Sequence, residues 1–122
     1  MKRTFSILIS AWALFLLSSC TYEPYVEPEI IIPTDSVSFV SDIEPIFVDR
    51  ACTGCHPTSG GLDLTTGNSF ASIMSNSLVN LTSPTESILY TKPASSGSHS
   101  KKYTAQQEVL VLTWIQQGAH NN

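Results

Sequence analysis

Apolar residues along this chain fall into one continuous block and several periodic ones. Phe5 to Leu17 is an apolar run of 13 residues. Beyond it the spacing becomes helical. Ile43, Ile46, Phe47 and Arg50 share one stripe, Phe70, Ile73 and Met74 a second, and Leu110, Val111, Trp114 and Ile115 a third. Boundary residues frame these stripes. Ser41-Asp-Ile-Glu44, Ser83-Pro-Thr-Glu86 and Thr104-Ala-Gln-Gln107 each read as a capping box, in which a hydroxyl covers a free amide and the third residue on reaches back. Pro84 takes the favoured first helical position, Pro93 ends the helix before it, and Gly118 is a favoured C-terminal cap. Leu62-Asp63-Leu64 is the one alternating stretch and is very short. The pattern predicts an all-α chain of about four short helices joined by Gly/Ser loops: Asp42–Arg50, Ser69–Ser75, a short one after Ser83, and one from Thr104 to Gly118.

The first block is an address rather than a fold element. Lys2 and Arg3 precede it, and 13 apolar residues are too few to span a bilayer but suit a signal-peptide core. It ends in Leu17-Ser-Ser-Cys20, which resembles a bacterial lipobox. Residues 1–19 are expected to be removed, and Cys20 to carry the lipid. The alternative is a plain secretory signal with Cys20 incidental. The lipobox reading predicts an exported chain anchored in the cell envelope, at the outer membrane facing the periplasm or the cell surface. Residues 20–36 then form a tether, with Pro24, Pro28 and Pro33 interleaved with Glu23, Glu27 and Glu29. Such a segment favours extended backbone, so Thr21 to Ser36 would reach ~50 Å at full stretch. The three consecutive isoleucines allow a second reading, with Glu29 to Pro33 as an edge strand. The domain proper is expected over 37–122.

Without its leader the chain has 4 basic residues (Arg50, Lys92, Lys101, Lys102) and 10 acidic ones, a net charge of -6. That excludes nucleic acid as a partner and argues against an anionic membrane surface. The acidic residues are scattered, and no Ser/His/Asp arrangement or phosphate loop is present, so no enzyme site is evident. Asn80-Leu81-Thr82 is a glycosylation triplet, a pattern that arises readily by chance.

Four short helices make a thin core for about 100 residues, and something else should fill the middle. Cys52-Thr-Gly-Cys55-His56 supplies a candidate. C-x-x-C-H is the attachment pattern of c-type haem. Two thiols at this spacing can each add to one haem vinyl group, and the adjacent imidazole can ligate the iron. With Cys20 assigned to the lipid, Cys52 and Cys55 account for every remaining cysteine. Two other chemistries use the same spacing. A redox dithiol needs a βαβ context, and a zinc site needs two further ligands, for which His99 and His120 are the available imidazoles.

The chain resembles a class I cytochrome c domain, of the short single-haem lipoprotein type found in Bacteroidetes-type bacteria and in planctomycete proteins. The resemblance rests on Val40-Ser-Asp-Ile-Glu-Pro-Ile-Phe47 before the CTGCH, then Gly60-Gly-Leu-Asp-Leu-Thr65 and Ser83-Pro-Thr-Glu-Ser-Ile-Leu-Tyr90. It continues through Tyr103-Thr-Ala-Gln-Gln107 into Leu112-Thr-Trp-Ile-Gln-Gln-Gly-Ala119. It implies a cytochrome c-like fold packed around one covalently bound haem c, with first and last helices crossing. It also implies an electron-transfer role with redox protein partners.

The family commonly places a methionine ligand shortly before the last helix, where this chain reads Ser98-His99-Ser100-Lys101-Lys102. His99 is therefore the first candidate for the second axial ligand. Met74 is the alternative, and its stripe also suits core filler. His120 lies beyond the last helix. An open position would favour a haem-based peroxidase or gas sensor instead, and a purely structural haem module is a further reading. Trp114 and Tyr90 are expected against the macrocycle or in the core, and Arg50, Lys92, Tyr103, Lys101 and Lys102 each as a propionate partner or a surface residue.

Overall fold

The structure is a computed structural model that describes residues 23–57 and 61–122. The leader over 1–19 and Cys20 lie outside the described residues. The described chain is all-α, with four α-helices and no strand among the described residues. A π-helical turn at Phe39–Ile43 runs into α1 (Glu44–Asp49). There follow α2 (Ser69–Ser75), a 3-10 turn at Pro84–Glu86, α3 (Ile88–Thr91) and α4 (Ala105–Gln116). No described helix is long and apolar enough to cross a membrane.

The predicted caps divide into one success and two corrections. Thr104 and Gln107 form the reciprocal box of α4. The first helical segment instead begins three residues earlier than expected. Ser38 is its cap, accepting from Ser41 N at 3.2 Å, while Asp42 Oδ2 accepts from Ser38 N at 2.8 Å. Glu44 is thereby released from capping. Its carboxylate is buried and accepts from Gly67 N (2.8 Å) and Ser69 Oγ, tying α1 to the start of α2. Ser83 makes no side-chain cap; Pro84 opens a 3-10 turn, and α3 is a separate single turn after Ser87.

Three segments end in the same way. In each, the residue after the C-cap adopts left-handed backbone, and the next amide folds back across the last turn. The left-handed position is Ala51 after α1, Ser77 after α2 and Gly118 after α4. The returning amides are Cys52 N to Phe47 O (2.8 Å), Leu78 N to Ile73 O (3.1 Å) and Ala119 N to Trp114 O (2.9 Å). Each turn points the chain back into the core, where Cys52 and Ala119 are buried.

The core joins the two ends of the domain. Phe39 and Trp114 rings stand 5.3 Å apart, and Phe70 meets Phe39 edge-on at 5.2 Å. Ile43, Phe47, Ile73, Val111 and Ile115 close around them, each fully buried. Each such side chain contributes about 1.5–3 kcal/mol of transfer free energy. The tail after Gly118 is held rather than frayed: His120 O accepts from Trp114 Nε1 at 2.9 Å, and Asn122 O accepts from Val40 N at 3.0 Å.

The segment from residue 31 onward lies along α4 without forming a strand. Ile31 exchanges two hydrogen bonds with the Gln106 side-chain amide, both 2.7 Å. Gln117 likewise accepts from Val37 N (2.8 Å) and donates to Asp35 O (3.2 Å). Two glutamines thus supply the paired donor and acceptor that a neighbouring strand would otherwise provide.

Candidate functional site

The reversal after α1 determines where the CTGCH segment goes. Arg50 is the C-cap, Ala51 turns left-handed, and Cys52 is drawn under Phe47. Cys55 N and His56 N then both donate to Cys52 O, at 3.1 and 2.9 Å, so residues 52–56 form one helical turn. Cys52 is buried and Cys55 exposed, and both are free thiols. Burial pushes the Cys52 thiol up from its ordinary pKa, while Arg50 and Lys101 pull the other way. His56 is half-buried, and its Nδ1 is buried with no hydrogen-bond partner. It is the one side-chain nitrogen or oxygen in that state among the described residues. A buried polar atom left unpaired costs about 1–3 kcal/mol.

His56 and Cys52 face a cavity of about 160 Å³ that opens to the surface. Phe47, Leu62, Leu64, Leu78 and Leu89 make its walls. The opposite side is the Pro93–Tyr103 loop, which brings His99 to the cavity. The two imidazole rings stand 5.9 Å centre to centre, with planes 32° apart. That separation lies within the range of an aromatic pair, and it brings two imidazoles near enough that both could offer nitrogen to one bound group. His99 Nδ1 lies 3.1 Å from both the amide nitrogen and the carbonyl oxygen of Lys101. With its proton on Nδ1 the ring donates to that carbonyl and leaves Nε2 free to ligate.

No known protein family, curated protein or solved structure matches the chain.

The sequence candidates therefore separate. Cys52, His56 and His99 line one cavity, and Cys55 sits on the same turn as Cys52. Met74 does not line this cavity; it is 39% exposed on α2. His120 lies in the exposed tail. No three His, Cys, Asp or Glu side chains converge among the described residues, so the zinc alternative finds no ligand set. The dithiol alternative finds no strand there to sit on. Tyr103 is not a surface residue: it is buried, lines the cavity and donates its hydroxyl to Leu89 O at 3.1 Å.

Every described lysine and arginine stands at this loop or beside the cavity. Lys92 lines the cavity and donates to Ser98 Oγ (3.3 Å), Lys102 donates to Gly97 O, and Arg50 Nε donates to Lys102 O at 2.6 Å. In an acidic chain this makes the region locally positive among the described residues. Sequence reading missed Gly97 as a structural requirement. A Cβ there would collide with the carbonyl oxygens of Thr91 and Lys92.

Proposed function

We propose that this chain is a membrane-tethered, single-haem c-type cytochrome that passes electrons one at a time between redox proteins in the cell envelope. The observation that carries the reading is the pairing across the cavity: Cys52 and His56 on one side, with Cys55 exposed on the same turn, and His99 on the other with its ring 5.9 Å from His56. The donor set fits the group. Cys52 and Cys55, two thiols on one turn, would hold the macrocycle through thioether bonds, and His56 and His99 would supply imidazole nitrogen to its iron. The unpaired Nδ1 marks His56 as a ring whose surroundings are incomplete without a bound group.

Bound haem supplies one-electron cycling between ferrous and ferric iron. The chain's own residues do the rest. Phe47, Leu62, Leu64, Leu78 and Leu89 give the cavity apolar walls, which strengthens electrostatic effects beside them. The cations around the loop would offset the carboxylate charge of a bound haem. A pair of imidazoles, with no thioether ligand, favours a lower potential than His/Met ligation, since soft sulfur stabilises the ferrous form. Lipid at Cys20 would keep the carrier at the membrane.

The test is maturation in a host that assembles c-type cytochromes, followed by mass spectrometry and spectra of both redox states. A haem adduct that survives acid-acetone, absent from Cys52→Ala/Cys55→Ala, is expected. A colourless protein from the same host would refute the reading.

A further inference from the structure

We propose that Arg50 is a positioning residue that latches the His99 loop over His56; the inference deepens the haem reading and rests on it for its spectroscopic arm. The loop from Pro93 to Tyr103 is well tied to its own neighbours. His99 N donates to Lys92 O (3.1 Å), Tyr103 N to Pro93 O (2.8 Å) and Tyr103 Oη to Leu89 O (3.1 Å). Ser95 N donates to Glu108 of α4, and Lys102 Nζ closes the loop on Gly97 O. All these partners belong to the loop, α3 or α4. None fixes the loop relative to the segment that carries Cys52 and His56.

Arg50 does. Its Nε–H donates to Lys102 O at 2.6 Å across 52 residues of sequence, in a half-buried setting. Among the described residues it is the one hydrogen bond between the Pro93–Tyr103 loop and the Phe39–Pro57 segment. Its placement follows from the fold. As the C-cap of α1, Arg50 stands two residues before Cys52, so it moves with the CTGCH turn. On the far side, Lys102 adjoins Lys101, whose peptide groups hold His99 Nδ1. The connection therefore runs from the turn bearing one imidazole to the peptide orienting the other. A charged donor to a carbonyl is among the stronger protein hydrogen bonds, and here it is partly shielded from water.

Substitution separates the hydrogen bond from the charge. Gln places its amide nitrogen at the position of Arg Nε and keeps a donor without the charge, whereas Met keeps the length and loses the donor. In the haem-loaded, reduced full chain, carbon monoxide can bind only after His99 leaves, so its binding rate reports how firmly His99 is held. Arg50→Met should bind roughly 10- to 100-fold faster than wild type, the factor expected for losing a hydrogen bond to a charged group. Arg50→Gln should remain within about threefold of wild type, the loss expected when only charge assistance goes. On a His99→Ala background, Arg50→Met should add nothing. The proposal is overturned if Arg50→Met binds at the wild-type rate, if Gln behaves like Met, or if the acceleration persists without His99. The second arm needs no haem. Amide exchange at His99 and Tyr103 in the full chain should be about tenfold faster in Arg50→Met, and unchanged exchange also overturns the latch. A wild-type chain that takes up no haem defeats the proposed function instead, and leaves this second arm to decide the latch.

Discussion

The two walls of the cavity are built on different principles. The wall that carries Cys52, Cys55 and His56 is local: a short helix, a left-handed reversal at Ala51, and two amides returning to Cys52 O. Its backbone hydrogen bonds join residues at most five apart, except that Leu64 N donates to His56 O at 2.7 Å. The wall that carries His99 has no regular structure between α3 and α4. It is held by a close backbone approach at Gly97 and by side chains of Lys92, Lys102, Tyr103, Glu108 and Arg50. Even the two histidines differ. His99 Nδ1 has the Lys101 peptide beside it, whereas His56 Nδ1 has no partner. The lesson concerns robustness. A wall built on helical backbone survives loss of distant contacts, and a wall without regular structure, joined to the other by one hydrogen bond across 52 residues, is the one that opens first.

The largest effect should come from removing the far ligand. In the haem-loaded chain, His99→Ala should convert low-spin iron to high-spin and raise carbon monoxide binding by roughly a hundredfold or more, the factor for an open form populated at about 1% in wild type. Met74→Leu should leave spectra and binding unchanged, because Met74 stands away from the cavity. Optical spectra and stopped-flow mixing read both. If Met74→Leu opens the iron and His99→Ala does not, the comparison has its second wall in the wrong place.

Two glycines test the walls without touching a ligand. At Gly54, on the local wall, an added Cβ would meet its nearest neighbour, Ala51 O, at 3.6 Å, an ordinary contact. At Gly97 it would collide with two backbone carbonyls. Gly97→Ala should therefore cost about 1–3 kcal/mol, and Gly54→Ala should stay within about 0.5 kcal/mol of wild type. Denaturant midpoints at unchanged m-value make the measurement. Equal losses at both sites would show that the walls do not differ as described.

The same division explains what could be read in the sequence. Helices α2 and α4, the Thr104 cap and the core stripe of Val111, Trp114 and Ile115 follow from short-range pattern, and the structure has them at the predicted positions. The CTGCH turn is equally local. The Ser41 box failed because Glu44 has a stronger use in the buried pairing with Gly67 and Ser69, which no short window reveals. Ser83 failed for a related reason: the chain continues as a 3-10 turn and then restarts at Ile88. Arg50 and the glutamine pairings depend on where the chain returns after 50 to 80 residues, and spacing carries no trace of that; the Gly97 approach to Thr91 and Lys92 is short-range, but it depends on how the loop folds back rather than on residue spacing.

Alkaline pH should destabilise the haem-free fold at both walls, through the raised Cys52 thiol and then through Tyr103. Burial, aided by neighbouring Cys52, raises the Tyr103 hydroxyl well above its ordinary value. In the unfolded chain that hydroxyl ionises from about pH 10, while the folded chain retains the proton. The folded state then holds more protons, so the Tyr103 contribution lowers stability as pH rises above about 10, by up to ~1.4 kcal/mol per pH unit, and is absent below about pH 9. Tyr103→Phe removes this slope and also the hydroxyl's bond to Leu89 O, worth about 1 kcal/mol. The variant should be the less stable protein at pH 7, and the two stabilities should meet near pH ~11. Urea titrations of the haem-free chain at several pH values measure this; parallel curves up to pH 12 would remove Tyr103 from the account.

The smallest effect concerns the cost of the local wall. Ala51 turns the chain into the CTGCH segment with φ of 53°, a region that disfavours a side chain. Glycine adopts it without that penalty but gives up more freedom on folding, so Ala51→Gly should stabilise the protein by a net ~0.5–1 kcal/mol. Ser77 occupies the equivalent place after α2, with the same φ of 53°, and Ser77→Gly should gain a similar amount. At the third reversal glycine is already present: Gly118 has φ of +102°, and an added Cβ would lie 2.9 Å from the His120 ring. Gly118→Ala should therefore lose stability where the other two gain it. The three substitutions make one experiment in denaturant, read as shifts of the midpoint at constant m-value. Opposite signs would establish that the turn bearing Cys52 is set by backbone geometry alone. If Ala51→Gly instead destabilises the chain, the Ala51 methyl packs usefully, and the near wall is less self-sufficient than its hydrogen bonds indicate.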